Sequence, residues 1–271
     1  MGQEVYVYEG PGAAMVSSNL LLSALQRCLC PRSHSIEHIS PQQIKLGKWR
    51  ESCAALVLGG GYDMGFLKSL GAEGADMIRD YVMQGGTYIG MCAGAYFACD
   101  YIEFEKGTKM EVCGDRPLKF YPGKCTGSIV SNFKYDSEQG AAALPITIPA
   151  KTLPGFANDC TLQAYVNGGG FFSPNSSRER FPHVQNVQNL ALFDTFGGRP
   201  PAVVKCDVGQ KGGVALLSSP HVDFSAFELD PTDKYLMKFQ RELRNDDRVR
   251  ERFLKSFLEL GKLRVKVNSS L

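Results

Sequence analysis

One cysteine stands in a setting that suits nucleophilic chemistry. Gly90-Met91-Cys92-Ala93-Gly94 has the form G-x-C-x-G, the thiol version of a nucleophile elbow. Such an elbow places the nucleophile on a sharp turn between a strand and a helix, and its flanking positions must be small. Thr87, Tyr88 and Ile89 supply the strand, being β-branched or aromatic. A helix is expected over Ala93 to Cys99, with its N-terminus at the sulfur, where partial positive charge favours thiolate over thiol. The bland alternative is a buried structural cysteine at a glycine-rich strand end.

A thiol nucleophile needs a base, and the base needs an orienting group. Of the four histidines, His34 and His38 fall in a short early strand and His183 follows a proline in a loop. Only His221 sits just past an apolar strand, and Asp223 lies two residues on, on the same side of an extended segment. Asp223 can therefore hold one ring nitrogen while the other faces sulfur. The alternative is a solvated turn. An oxyanion formed at a carbonyl needs fixed N–H donors. Gly60 and Gly61, in the Gly59-Gly60-Gly61 triplet, and the N–H of Ala93 are the candidates, although the triplet also reads as a plain strand-ending turn. A phosphate cradle is disfavoured, because GGGYDMG lacks both the P-loop Lys-Ser/Thr and the G-x-G-x-x-G spacing.

These residues need a scaffold that brings them to one edge. Val5 to Tyr8 reads as a first strand, ended by Gly10-Pro11-Gly12. Ser17 or Ser18 is placed to cap a helix whose leucines recur over Leu20 to Leu29. Ser35 to Ile39 is a short second strand, and Gln42 to Trp49 a weak helix or loop. Ala54 to Leu58 is a continuous apolar run, as expected of a central parallel strand buried on both faces. A helix follows over Ala72 to Met83. This alternation predicts an α/β fold, a doubly wound, mostly parallel sheet with helices on both faces. In such sheets the site lies outside the C-terminal strand ends, where Gly10, Pro11, Gly12, the glycine triplet and Cys92 all fall. Residues 101 to 220 change to short β-rich runs with Gly and Pro, ending in two apolar strands at Ala202 to Lys205 and Val214 to Leu217. Pro231 to Leu263 reads as helical, its charged run a solvated face. A single domain is expected, with a core over 1–240 and a helical extension over 231–263.

Composition bounds the function class. The 271 residues are 44% hydrophobic and 21% charged, ordinary globular values, and a net charge of +2 gives no sign of nucleic-acid or membrane-surface binding. No window is apolar enough to span a bilayer. The opening MGQEVYVYEGPG lacks the basic start and apolar core of an export leader, and Tyr6 stands where a myristoylation signal at Gly2 needs Ser or Thr. The nine cysteines are odd in number and scattered, which points to reduced thiols and a cytoplasmic location. Cys28-Leu29-Cys30 is too tight for a C-x-x-C redox pair, and the histidines show no zinc spacing, so neither a metal nor another cofactor is expected. Sequons begin at Asn175 and Asn268, without consequence in an unexported chain.

The thiol elbow, glycine-rich loop and His-x-acid together resemble the class I glutamine amidotransferase-like superfamily. More closely, the chain resembles the N-terminal domain of eukaryotic, especially fungal, biotin–protein ligases. The carrying motifs are Tyr8-Glu-Gly-Pro-Gly12, Gly86-Thr-Tyr-Ile-Gly-Met-Cys92-Ala-Gly-Ala-Tyr-Phe97, Met110-Glu-Val-Cys-Gly114, Phe120-Tyr-Pro-Gly123, Tyr135-Asp-Ser-Glu-Gln-Gly140, Tyr165-Val-Asn-Gly-Gly169 and Ser219-Pro-His221. The resemblance implies a three-layer α/β/α, flavodoxin-like architecture and a Cys92–His221–Asp223 triad. It also implies a pocket wall at Tyr165, Asn167 and Gly168, with Asn167 a candidate contact to a substrate amide, unless the segment is simply a glycine-rich turn. Two departures matter. The superfamily's usual Glu is Asp223 here, one methylene shorter. The ligase catalytic domain and its GRGR-type loop are not in this sequence; Phe196-Gly-Gly-Arg-Pro200 has one Arg followed by Pro. Biotinylation by this chain itself is therefore not expected. The expectation is a cysteine-dependent hydrolase or amidase acting on a small molecule. A non-catalytic binding or regulatory module and a thiol redox sensor are the rivals, and a protein partner or homo-oligomer is left open.

Overall fold

The computed structural model describes residues 3–175 and 180–267. Gly2, the interior of the sequon beginning at Asn175 and the sequon at Asn268 lie outside the described residues.

The first half alternates as its apolar pattern requires. Strand β1 (Glu4–Tyr8) leads to α1 (Met15–Cys28), β2 (Ser35–Ile39), α2 (Pro41–Leu46), β3 (Cys53–Leu58), α3 (Asp63–Met83), β4 (Thr87–Met91) and α4 (Ala93–Phe97). The chain continues through β5 (Cys99–Phe104), β6 (Val112–Asp115), β7 (Tyr121–Gly127), β8 (Ala142–Ile148), β9 (Cys160–Val166), β10 (Phe171–Pro174), β11 (Val184–Phe193), β12 (Pro201–Val208) and β13 (Gly213–Ser218). Two helices follow, α5 (Gln240–Asn245) and α6 (Asp247–Leu260).

Nine strands form one sheet in the order β2-β1-β3-β4-β13-β12-β11-β8-β9. The run from β2 to β13 is parallel, and from β13 onward the pairings are antiparallel. The fold is therefore α/β and flavodoxin-like, extended by an antiparallel wing. Every residue of β4 and β13 is buried, as befits strands covered on both faces. Alternate residues divide between two cores. Leu56 and Leu58 of β3 pack with Phe66, Ile78 and Phe97 on one face, while Ala55 and Val57 pack with Leu21, Leu25, Phe253 and Phe257 on the other. Each such leucine or phenylalanine contributes on the order of 2 kcal/mol by leaving water. A second sheet, β10-β7-β5-β6, lies on the first core: its Tyr121 and Phe172 share a cluster with Val204 and Cys206 of β12.

Several boundaries differ from expectation. Helix α3 begins at Asp63 rather than Ala72 and kinks at Gly71 (φ 60°, ψ −165°), whose non-helical backbone hides the first half from a periodicity argument. Helix α4 ends at Phe97, because Cys99 already opens β5. Neither Ser17 nor Ser18 caps α1; Ala14 holds that position with no side-chain bond. From Pro231 the chain runs through turns and a short 3₁₀ helix over Leu236–Lys238 before α5 and α6, so the expected continuous helical stretch is broken up. Among the described residues no helix is long and apolar enough to cross a membrane.

Candidate functional site

Parallel pairing of β4 with β13 sets Met91 opposite Ser218. The segments that leave these two strands therefore emerge side by side at the C-terminal edge of the sheet. The N–H of Cys92 donates to Ser218 O at 2.8 Å, which ties the elbow to the neighbouring strand. Cys92 adopts φ 49°, ψ −112°, a backbone conformation unusual for a residue with a Cβ. The following turn is tight: Gly94 N–H donates to Gly59 O at 3.1 Å, and a Cβ on Gly94 would collide with the Leu58 carbonyl. The sequence needs glycine there so that the elbow can lie directly on β3.

From Ser218 the chain turns through Pro220 to His221, whose N–H donates to Tyr165 O at 2.8 Å. The His221 ring is fixed on every side. It stacks on Phe224 with centroids 3.9 Å apart and meets the edge of Tyr165 at 5.7 Å. Its Nδ1 lies 3.1 Å from Asp223 Oδ1, and Cys92 is close enough to act on the ring electrostatically. Burial by itself pulls the imidazole pKa down. The Asp223 charge and the bond to Asp223, with a further contribution from the nearby Cys92, outweigh that penalty and raise the pKa to about 10. The second oxygen of Asp223, Oδ2, is buried with no hydrogen-bond partner among the described residues. Cys92 is 9% exposed and His221 4%, so these groups form a shielded cluster rather than an open cleft.

The glycine loops behave differently from one another. Gly60 does not offer the free donor expected of it: its N–H is committed to Ser17 Oγ at 3.1 Å. What Gly60 supplies is clearance, because a Cβ there would stand 2.8 Å from His221 Nε2. The N–H groups of Gly61 and Ala93 have no acceptor among the described residues. Gly10, Pro11 and Gly12 brace this loop from behind. Tyr8 Oη donates to Pro11 O at 2.8 Å, Tyr62 N–H to Gly12 O at 2.8 Å and Ala14 N–H to Gly60 O at 3.1 Å. Tyr165 stands against His221 as described. Gly168 backs onto Phe133 and Phe104, beneath the segment that joins β7 to β8.

That segment, residues 128–140, was silent as to role in the sequence, and it crosses the site. Tyr135 meets Tyr62 edge-on at 5.7 Å, and Phe133 meets Phe104 at 5.4 Å. Glu138 accepts a hydrogen bond from Tyr165 Oη and is attracted by His221. Phe224 stacks on His221, Glu138 reaches the ring through Tyr165, and Ser17 bonds the Gly60 loop; sequence reasoning missed all three. Only Glu138 stood in a quoted motif, and Phe224 had the signal of directly following Asp223.

A broad groove of about 760 Å³ lies elsewhere, at the N-terminal ends of the parallel strands, bordered by Arg32, His34, Arg50, Lys262 and Arg264. It is the wrong end of the sheet for the elbow, and none of the cluster residues lines it.

Comparison with known proteins agrees with the motifs. Residues 3–270 match the family described as "Biotin-protein ligase, N terminal". The chain is 30% identical over 268 residues to a biotin–protein ligase of Schizosaccharomyces pombe, covering 98% of this chain but 39% of that ligase. It is 29% identical over 227 residues to an uncharacterized protein of Chlamydia muridarum, covering 82% of this chain and 81% of that one. Among solved structures, cytoplasmic protein STM1381 of Salmonella typhimurium LT2 matches at 12% identity with a TM-score of 0.48, covering 97% of this chain and 99% of that one.

Proposed function

The chain belongs to the biotin–protein ligase N-terminal family, and on that premise we propose that it is a cysteine-dependent hydrolase of amide-type bonds. The observation that supports this reading is that Cys92 and His221 follow the ends of two adjacent parallel strands, with Asp223 bonded to the imidazole. An imidazolium beside a thiolate is the resting form of a cysteine nucleophile. Cys92 Sγ would attack the carbonyl carbon, and the carbonyl π pair would move onto oxygen. Ala93 and Gly61 N–H groups would hold that oxyanion, with Gly60 excluded because Ser17 occupies its donor. His221 would then give its proton to the leaving amine as the C–N bond breaks, leaving a thioester. His221 would then take a proton from a water whose oxygen attacks the thioester carbonyl, and breaking of the C–S bond would release the acid and restore the thiolate–imidazolium pair. Asp223 would keep the imidazole oriented throughout.

A second reading is a ligand-binding or regulatory module. It is favoured by the burial of Cys92 and His221, and by a relative in which the matched region is 39% of a longer ligase. Iodoacetamide labelling of Cys92, followed by peptide mass spectrometry at pH 6.5, separates the two. A catalytic pair gives labelling that slows by about tenfold or more when His221→Ala removes the base. Equal rates in the two proteins would sink the hydrolase reading. Nine unpaired cysteines also suit a reducing compartment, and we place the protein in the cytoplasm on that ground.

A further inference from the structure

The groove of about 760 Å³ at the N-terminal ends of the parallel strands has no task in the proposed chemistry, and its charges are one-sided. Arg32, Arg50, Lys262 and Arg264 line it, against the single carboxylate of Glu51. The chain as a whole has 30 basic and 28 acidic residues, so this excess is local rather than general. Elsewhere Arg27, Arg116, Lys119, Arg199 and Arg250 each pair with a carboxylate. None of the four groove cations forms an ion pair among the described residues. Gathering like charges in one concavity is unfavourable by itself, and a bound anion removes the repulsion.

Three separate parts of the chain bring these side chains together. Arg32 and His34 follow α1, Arg50 lies in the 3₁₀ turn after α2, and Lys262 and Arg264 follow α6. His34 Nε2 accepts from Arg264 N–H at 2.9 Å and its Nδ1 lies 3.3 Å from Gln3 O, so the ring proton is on Nδ1. That ring pins the chain after α6 to the groove wall. Arg50 Nε donates to Gly47 O at 3.1 Å, which leaves both terminal nitrogens of the guanidinium without an acceptor among the described residues. Lys262 Nζ donates to Gly85 O at 3.3 Å and to Gly212 O, both neutral, so its charge is fixed in place but not cancelled. The buried Tyr81 and Thr87 contribute no side-chain donor. Tyr81 Oη gives its proton to Cys53 O at 3.3 Å, and Thr87 Oγ1 donates to Gly261 O at 3.0 Å. Recognition therefore falls to the cationic side chains.

From this convergence we propose that the groove is a second binding site, which takes a small polyanion carrying two or more phosphate or carboxylate groups. Guanidinium forks match both oxyanions through paired hydrogen bonds, and several separated cations suit a ligand with more than one charged group. The volume falls within the range of small-molecule sites and exceeds what a single oxyanion fills. A nucleic-acid backbone would need the charge carried beyond the groove along the surface, whereas the net charge of the whole chain is only +2. The groove lies at the opposite end of the sheet from Cys92 and does not depend on the chemistry of that residue.

The test titrates the intact protein calorimetrically with two probes, sodium pyrophosphate and sodium citrate, against sodium chloride at matched ionic strength. At least one probe is expected to bind saturably, one per chain, and which one does so names the oxyanion. The side chains of Arg32 and Arg264 make no bond among the described residues, so their replacement spares the fold. Arg32→Gln and Arg264→Gln should each weaken binding about tenfold, the loss expected of one charge-assisted hydrogen bond. Lys68→Gln, which removes an exposed cation of α3 outside the groove, should change it by less than about twofold. Cys92→Ala should bind as the wild type does; loss of binding there would move the anion to the elbow and overturn the proposal. No saturable binding of either probe, or an equal loss in Lys68→Gln, overturns it as well. Tighter binding of a single-stranded oligothymidylate than of pyrophosphate at equal phosphate concentration would overturn it in favour of a nucleic-acid surface.

Discussion

Gly60 and His221 pack against each other so closely that a methyl group on Gly60 would lie 2.7 Å from Cε1 and 2.8 Å from Nε2 of the imidazole. The same methyl would press on Ser17 Oγ at 2.6 Å. His221 cannot retreat, because Phe224 stacks on one face and Tyr165 closes an edge. Gly60→Ala should therefore cost about 1–3 kcal/mol of stability, the usual penalty for overpacking. It should also slow alkylation of Cys92 by displacing the ring. Urea denaturation and peptide-resolved labelling measure the two effects, and a variant with wild-type values for both would show that the loop yields freely.

The backbone at Cys92 carries its own expectation. At φ 49°, ψ −112° a Cβ is strained and glycine is not. Cys92→Gly should accordingly be more stable than Cys92→Ala by about 1 kcal/mol, even though both lack the thiol. Equilibrium unfolding of the pair decides this, and the reverse order would mean that the turn is relaxed.

His221 makes stability depend on pH with a defined sign. Its folded pKa, about 10, lies above the ordinary value of the unfolded chain. The contribution is thus fully present below about pH 6.5 and fades as pH rises through the folded value. Subtracting the profile of His221→Gln from that of the wild type isolates it from the cysteines. The difference should shrink steadily from neutral pH towards pH 10. A difference that grows with pH would show a neutral, unpaired imidazole.

Arg250 secures the turn behind Asp223. Its side chain is buried, donates to Phe224 O at 3.2 Å and to Gln163 O at 2.9 Å, and pairs with Asp247. Asp247 in turn accepts from Ser225 and from the N–H of Ala226. Arg250→Ala takes a donor from two carbonyls and the charge partner from a carboxylate that keeps only neutral donors, and should cost about 3–5 kcal/mol. Loss of less than 1 kcal/mol in urea titration would mean that water replaces the guanidinium at no penalty.

Local geometry was readable where a short stretch contains its own explanation. The elbow is one such case, because strand, glycine, thiol and glycine are contiguous. The pairing of His221 with Asp223 is another, since two residues in extended chain share a side. What eluded the sequence depends on partners far along the chain. Ser17 reads as a helix cap, yet it holds Gly60 N–H, because the α1 start and the β3 end meet only after folding. Glu138 lies in a turn-rich stretch with no periodicity to orient it. The first half of α3 was lost for a local reason: Gly65 dilutes the helical pattern and Gly71 breaks it. The antiparallel wing follows from sheet order, which hydrophobic runs do not encode.

The seating of β13 between β4 and β12 has a bearing on how the chain is made. Cys92 leaves the ribosome long before His221, and until β13 arrives the central edge of β4 has no neighbour on that side. A nascent chain therefore carries Cys92 before His221 exists, and with an apolar strand edge that is prone to foreign pairing. Completing the sheet seals that edge and, in the same step, brings the segment carrying His221 out beside the Cys92 turn.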